Sequence, residues 1–291
     1  MTNPIILDGK KLSNKIKDEL LKTISSLEKK PGLGIILVGS RPDSEVYVRM
    51  KKNACKKLGI VNYDVHLDEN VTEATIVKEI MKMNDNDDIN AILIQLPLPK
   101  HINEKRVLNY VSIKKDVDGF HTTNVGKLTL NSDNYIAPCT PLGCIRLLKE
   151  YNIDIEGKKA VILGRSNIVG LPLSLLLLHN NATVTICHSR TQNMSEYTKE
   201  ADILICAVGK PEFIKKEDIK EGCVIVDIGI NKIECNNEKG YKLVGDVDYL
   251  DVLDKVNAIT PVPGGVGPMT IAMLLEQTYK LYLQQKNLFI K

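Results

Sequence analysis

The sequence predicts an α/β fold in two domains, and three observations carry that prediction. Short apolar runs alternate with helix-patterned segments along most of the chain, the pattern of parallel sheets covered on both faces. At 291 residues the chain is long enough for two cores of ordinary size. The stretch from Lys159 to Ser189 reads as strand, glycine-containing turn, helix and strand, the opening unit of a dinucleotide-binding sheet.

The elements follow in order. Asp8 to Lys30 has helical spacing, with Leu12, Ile16, Leu20, Leu21 and Ile24 along one stripe. Residues 33–39 form a short buried-strand run, and a helix is expected from Ser44 to Leu58, closed by Gly59. Further strands are expected at 62–67, 91–96, 159–164, 182–187, 202–208 and 223–229, and the segment from Thr270 to Gln285 is a helix of period 3.6. The Pro- and Gly-rich run at 138–143 is the best candidate for a domain boundary.

Composition removes several function classes. The formal net charge is +3, with acids and bases mixed along the chain, so neither nucleic acid nor a membrane surface is an expected partner. No apolar run reaches the roughly 18 residues of a membrane span, and the N-terminus lacks the charged-then-apolar order of a signal peptide. The seven cysteines are scattered without a CxxC pair, and the histidines show no metal-ligand spacing. These features predict reduced thiols in a cytoplasmic protein and no metal site.

The second half carries the nucleotide signal. The strand from Lys159 runs into Gly164, which permits a tight turn, and Gly170 allows close packing or close approach of a phosphate. Pro172 suits a first helical turn, whose N–H groups and positive dipole end would face a pyrophosphate. The pattern departs from G-x-G-x-x-G, because Ser166 replaces the middle glycine and the last glycine is one position late. Alone it is weak, and an α/β unit with no ligand would share it; the strand before and the helix and strand after strengthen it. The next strand ends at Ser189, Arg190 and Thr191, where an NAD site usually places a carboxylate for the ribose 2′-OH. With no carboxylate there, and with Arg165 in the turn, the corner favours NADP, unless these arginines are solvated surface cations.

The first half carries a different signal. At ~100° per residue, Lys51 falls in the middle of the arc formed by Tyr47, Ala54, Cys55 and Leu58, while Arg49, Lys52 and Lys56 point away. Such a lysine either is desolvated, and so suited to act as a base near neutrality, or snorkels to water. Gln95 stands alone near the end of an apolar strand and needs a polar partner, with Lys51 or the backbone as candidates. Asp116 and Asp118 share a Gly-containing loop, where two carboxylates either hold a polar heterocycle or make turn hydrogen bonds. Pro261, Pro263, Gly264, Gly265, Gly267 and Pro268 form a stiff loop that opens the last helix and permits close backbone approach to a ligand.

Taken together, these segments resemble the bifunctional methylenetetrahydrofolate dehydrogenase/methenyltetrahydrofolate cyclohydrolase (FolD) family. The matching runs are SEVYVRMKKNACKKLGI, ILIQLPLP, KDVDGFH, PCTPLG, VILGRSNIVGLP, ATVTICHSRT, VDIGIN, GDVD and TPVPGGVGPMT, in the family's order from about residue 36 to 278. The resemblance implies two α/β domains flanking a cleft. Residues 1–138 would be the folate-binding catalytic domain, completed by the C-terminal helix at 269–291, and residues 139–268 a Rossmann-type NADP-binding domain.

It also implies NADP-dependent oxidation of 5,10-methylenetetrahydrofolate and hydrolysis of the methenyl product to 10-formyltetrahydrofolate. Lys51 would be the catalytic lysine, Gln95 would tune it, Tyr47 would stack on the folate ring system and Asp118 would anchor the pterin. Leu96, Pro263, Gly264 and Gly265 would line the substrate, with Gly264, Gly265 and Pro268 at the junction of folate and nicotinamide, and Gly164, Arg165, Ser166, Ile168, Ser189 and Ile230 would line the cofactor. A homodimer is implied as well, and because the chain ends after the final helix, no fused formyltetrahydrofolate synthetase domain, found in some relatives, is expected. His121, His179 and His188 read as structural. Two positions depart from the family: Thr122 stands where proline is usual, which is expected to loosen the loop carrying Asp118, and Gln277 stands where asparagine is usual. Competing readings are a dehydrogenase without cyclohydrolase activity, another NADP oxidoreductase such as a shikimate-type enzyme, and a nucleotide-sensing module without catalysis.

Overall fold

A computed structural model describes residues 3–286 apart from 237 and 239. The chain opens with a short strand β1 (Ile5–Ile6) and a helix α1 (Gly9–Ser25). Strands β2 (Gly32–Val38), β3 (Val61–Leu67) and β4 (Ala91–Ile94) alternate with α2 (Pro42–Leu58) and α3 (Glu73–Asp85), and the short helices α4 (Glu104–Leu108) and α5 (Thr122–Thr129) follow. The second series runs α6 (Cys139–Glu150), β5 (Lys159–Leu163), α7 (Gly170–His179), β6 (Thr183–Cys187), α8 (Met194–Thr198), β7 (Ile203–Cys206) and β8 (Val224–Asp227). A hairpin of β9 (Asn231–Glu234) and β10 (Tyr241–Val244), then α9 (Tyr249–Val252), β11 (Ala258–Ile259) and α10 (Val266–Gln285) complete it.

Two compact units divide the chain: Lys15–Pro138 with Ile271–Lys291, and Met1–Asn14 with Cys139–Thr270. The first is built on a parallel sheet of order β3-β2-β4. Its central strand β2 is buried throughout, and Ile36 and Val38 share a core with Ile76, Ile80 and Met83 of α3. Each such side chain contributes about 1.5–3 kcal/mol by leaving water, which accounts for the near-continuous apolar sequence of the strand. The second unit is a six-stranded parallel sheet of order β1-β11-β8-β7-β5-β6, with Leu163, Leu204, Cys206, Ile225 and Ile259 in its core. In both sheets the chain steps to one side of a strand and then back to the other: β2 lies between β3 and β4, and β5 between β6 and β7. Ligands of open α/β sheets sit beyond the carboxyl ends at such a reversal.

Several expectations change. The sequence reading places residues 1–14 in the first domain, but β1 pairs with β11, Ile5 opposite Ala258 and Ile6 opposite Ile259, so these residues join the second unit. A two-residue strand is too short to show a period. The last helix begins at Val266, earlier than expected, because Pro268 lies in its first turn, where a missing N–H costs nothing. The strand expected at 91–96 ends at Ile94, although Gln95 N still donates to Ile36 O at 2.9 Å. The Leu96–Pro97 and Val262–Pro263 peptides are both cis. All seven cysteines are free, and six are buried. Among the described residues, no helix is long and apolar enough to cross a membrane, and no cluster of His, Cys, Asp or Glu is placed to hold a metal ion.

Candidate active site

Helix α2 starts with proline in its first turn and Asp43 and Glu45 near its positive end, and finishes with Lys56 and Lys57 before Gly59. Its buried face is Ser44, Val48, Lys51, Ala54, Cys55 and Leu58. Lys51 is only 8 % exposed, so it does not extend to water as a surface lysine would. Its Nζ donates to Gln95 Oε1 at 3.0 Å, while Gln95 Nε2 donates to Leu96 O at 2.9 Å. That second bond fixes which way the amide points and leaves its oxygen for the lysine. Tyr47 lies half-buried one turn before Lys51, and burial raises the pKa of its hydroxyl. One turn after Lys51, burial pushes the Cys55 thiol up to about 12, which keeps it protonated and inert.

The carboxylates of the 116–118 loop separate cleanly. Asp116 accepts from the backbone N–H groups of Phe120 (3.2 Å) and His121 (2.9 Å) and from Asn124 Nδ2 (2.8 Å). It is buried, which raises its pKa, and it builds the turn. Asp118 is half-buried on the turn so formed. Lys115, its pKa lowered by burial, donates to Met83 O, Asn84 O and Asn86 O, and so satisfies carbonyls at the end of α3.

Both departures from the family lie here. Gln277, 3 % exposed on α10, donates from Nε2 to Val117 O (2.7 Å) and Ala137 O (3.0 Å), so it grips the peptide unit next to Asp118. Thr122 does not loosen the loop: its N–H and Oγ1 both reach Asn109 Oδ1, at 3.0 and 2.8 Å, a tether that proline could not make in full. The ring nitrogens of His121 and His188 accept the backbone N–H groups of Thr123 and Arg190.

The second candidate cluster lies at the carboxyl end of β5. Gly164 has φ +121°, and a Cβ there would overlap Ala207 O at the end of β7; a Cβ on Gly170 would overlap Gly164 O. Ser166 Oγ accepts from Val169 N at 3.2 Å and Gly170 N at 3.4 Å, ordering the entry to α7. Arg165, Ser166 and Ile168 are exposed on this turn, Ser189 and Arg190 are exposed past the end of β6, and Ile230 is 44 % exposed past β8. Neither Arg165 nor Arg190 forms an ion pair among the described residues. In the loop after β11, Pro263 is exposed, Gly264 half-buried and Gly265 buried. A backbone cradle that a Cβ would fill, beside uncommitted arginines and no carboxylate, fits a dinucleotide with a 2′-phosphate.

Comparison with known proteins covers both halves of the chain. Residues 7–118 match the model of the tetrahydrofolate dehydrogenase/cyclohydrolase catalytic domain, and residues 138–286 that of the same family's NAD(P)-binding domain. The chain belongs to the FolD family. It is 52 % identical over 278 residues to the bifunctional protein FolD of Acetivibrio thermocellus, covering 94 % of this chain and 95 % of that one. Its structure is similar to that of the bifunctional FolD of Campylobacter jejuni, with TM-score 0.92 and 48 % identity over 96 % of this chain and 99 % of that one. It is also similar to the FolD of Trypanosoma brucei solved with NADP cofactor and inhibitor, with TM-score 0.94 and 36 % identity over 98 % and 99 %. The chain is thus a bifunctional dehydrogenase and cyclohydrolase of tetrahydrofolate one-carbon chemistry.

Sequence reasoning gave the FolD runs VDIGIN and GDVD no role. The structure buries Asp227 and Asp246 from these two runs at the ends of the nucleotide-unit strands. A paired Asp and Gly in each run was the available signal.

Proposed function

We propose that in this FolD chain Lys51 handles the proton of the hydrolytic step and that NADP is the cofactor of the oxidative one. The observation that carries the first assignment is the part-buried hydrogen bond from Lys51 Nζ to Gln95 Oε1. The methenyl carbon of the substrate is already electrophilic, so hydrolysis needs a placed base more than an activated leaving group. Water adds to that carbon while Lys51, in its amine form, takes the proton. The bond from the carbon to N5 then breaks as N5 takes that proton back from Lys51, the adduct's hydroxyl gives its remaining proton to solvent as its oxygen becomes the formyl carbonyl, and the formyl group stays on N10. Gln95 holds the lysine through a neutral acceptor, which does not itself take the proton.

Tyr47 stacks on the folate ring system and Asp118 anchors the pterin, with Leu96, Pro263, Gly264 and Gly265 as further substrate contacts. NADP, when bound, supplies the hydride acceptor for the methylene carbon. Gly164, Ser166 and Ile168 receive its pyrophosphate side, Arg165 and Ser189 its 2′-phosphate, and Ile230 the nicotinamide side. The folate domain then comprises the unit around β2, and the nucleotide domain the unit around β5. Six buried free cysteines support a reducing, cytoplasmic setting, and the family resemblance supports a homodimer, which light scattering tests.

The deciding experiment follows methenyltetrahydrofolate by absorbance after methylenetetrahydrofolate is mixed with enzyme and each cofactor. Appearance and then decay of the methenyl signal is expected, with NADP preferred. Equal kcat/KM for NAD and NADP refutes the 2′-phosphate assignment, and a methenyl product that decays no faster than without enzyme refutes the role of Lys51.

A further inference from the structure

Two carboxylates in the nucleotide unit are almost wholly buried: Asp246 at 0 % exposure and Asp227 at 3 %. Neither forms an ion pair with Lys, Arg or His among the described residues. Buried carboxylates without a cation must be satisfied by hydrogen-bond donors, and the identity of those donors is informative. Asp246 accepts from three successive backbone N–H groups, those of Val208 (2.6 Å), Gly209 (3.0 Å) and Lys210 (3.0 Å), and from Asn231 Nδ2 (2.9 Å). Asp227 accepts from the N–H groups of Gly229 (2.9 Å), Asp246 (3.0 Å) and Val247 (2.9 Å). Its own N–H donates to Thr260 Oγ1 at 2.8 Å, at the start of the loop that holds Pro263, Gly264 and Gly265.

The arrangement is reciprocal. A Cβ on Gly229 would overlap the Asp246 carboxylate, and one on Gly245 would overlap the Asp227 carboxylate. Each run therefore supplies an aspartate and the glycine against which the other aspartate rests. The backbone donors to the carboxylates lie on the loops leaving β7 and β8 at their carboxyl ends and on residues 245–247 after β10, and Asn231 opens β9; the loop leaving β11 joins through Thr260 Oγ1, which takes the Asp227 main-chain N–H. One of them carries Ile230, another follows Ala207, whose carbonyl lies against Gly164, and the loop leaving β11 carries the Pro-Gly run. Charge-assisted bonds to backbone N–H groups are stronger than neutral ones and fix a loop without using its side chains.

We propose that Asp227 and Asp246 are positioning residues of the nucleotide site. Their clasp sets the loops after β7 and β8 in the arrangement that receives NADP, and the dehydrogenase depends on it while the cyclohydrolase does not. The proposal rests on the reading of this end of the sheet as the NADP site. It assigns these carboxylates no contact with cofactor or substrate.

The test uses Asp246→Asn in the full chain, which keeps the shape but turns a donor toward backbone donors. NADP affinity is measured by calorimetry, and both activities are assayed. The expected result is a rise of about tenfold in Kd and KM for NADP, with the kcat for methenyltetrahydrofolate hydrolysis within about twofold of wild type. Asn231→Ala removes one donor and leaves the three backbone bonds intact, so it guards against a folding failure of the first variant; a rise of about threefold in KM for NADP is expected. Arg165→Ala serves as the control for the underlying reading. Weak binding by that control together with unchanged NADP parameters in both clasp variants overturns the proposal alone. A parallel fall of both activities in both clasp variants also overturns it, because that is the signature of general destabilisation. Absence of NADP binding by the wild-type chain overturns the site reading and the proposal with it.

Discussion

In the nucleotide unit the strand at the reversal, β5, runs out into Gly164, and the next helix begins within a turn of backbone that side chains would obstruct. In the catalytic unit the corresponding strand, β2, is followed by α2, whose buried face carries Lys51 and whose flank carries Tyr47. The same strand order thus supports two kinds of site. One is made by removing side chains so that main-chain groups can approach a phosphate. The other is made by inserting a polar side chain into an apolar face and setting an amide acceptor beside it. The first is tolerant of side-chain chemistry and intolerant of volume, and the second has the opposite sensitivities.

Exchanging the kinds of damage tests this contrast most sharply at Lys51. Lys51→Met keeps length and apolar packing and removes only the amine. Loss of a general acid–base group costs about 100-fold or more, so cyclohydrolase activity is expected to vanish into the background while dehydrogenase activity stays measurable in the same preparation. Wild-type hydrolysis by this variant would sink the side-chain account. The complementary change is Gly164→Ala, which adds one methyl at φ +121° against Ala207 O. It is expected to raise KM for NADP by about tenfold and to leave hydrolysis of methenyltetrahydrofolate intact. A methyl tolerated there without change in KM would remove the reason for reading this turn as a backbone site.

The difference between the units also explains what could be read without coordinates. The β5 turn was legible because a backbone site must be written in glycines, and Lys51 was legible because a lysine inside an apolar arc violates the helical pattern. Gln95 was legible only as an amide needing a partner, with Lys51 and the backbone both open, and the structure gives it both. The supports were not legible. Asp246 is held by backbone N–H groups at 208–210, which any residue but proline would offer, so no side-chain pattern marks them. Asp116 and Asp118 are two positions apart, and spacing alone does not say which builds the turn. The strands β1, β9 and β10 are too short or too exposed to give a period. Gln277 reads as an ordinary polar helix residue until Val117 O and Ala137 O are seen beside it.

Gln277 gives a smaller and more selective prediction within the catalytic unit. Gln277→Leu has similar volume and abandons two carbonyls, a cost of about 1–3 kcal/mol. The freed segment is the one that carries Asp118, so KM for the folate substrate is expected to rise about threefold to tenfold with Kd for NADP unchanged. Gln277→Asn, the usual family residue, tests whether a shorter amide still reaches. An equal loss of folate and NADP affinity in Gln277→Leu would show that the residue serves stability in general, not the Asp118 loop.

The smallest expected effect concerns pH and separates the units again. Burial pushes Asp227 up to about 7 despite three backbone donors that favour its charged form. A carboxyl group whose pKa is higher in the folded chain than in the unfolded one binds its proton more tightly when folded. Its stabilising contribution is therefore complete below the ordinary carboxylate pKa and is lost as pH rises toward 7, at no more than about 1.4 kcal/mol for each pH unit. Asp116 in the catalytic unit shifts in the same direction for the same reason. Thermal unfolding followed from pH 5 to 7 is expected to show a falling Tm in the wild-type chain and a shallower fall in Asp227→Asn. The measurement reads a slope, so it does not depend on how much the substitution destabilises the loops at any one pH. Identical slopes would mean that water reaches Asp227 freely enough to keep it charged. The clasp would then be a solvated turn, and the contrast between a stiff backbone site and an adaptable side-chain site would lose its physical basis.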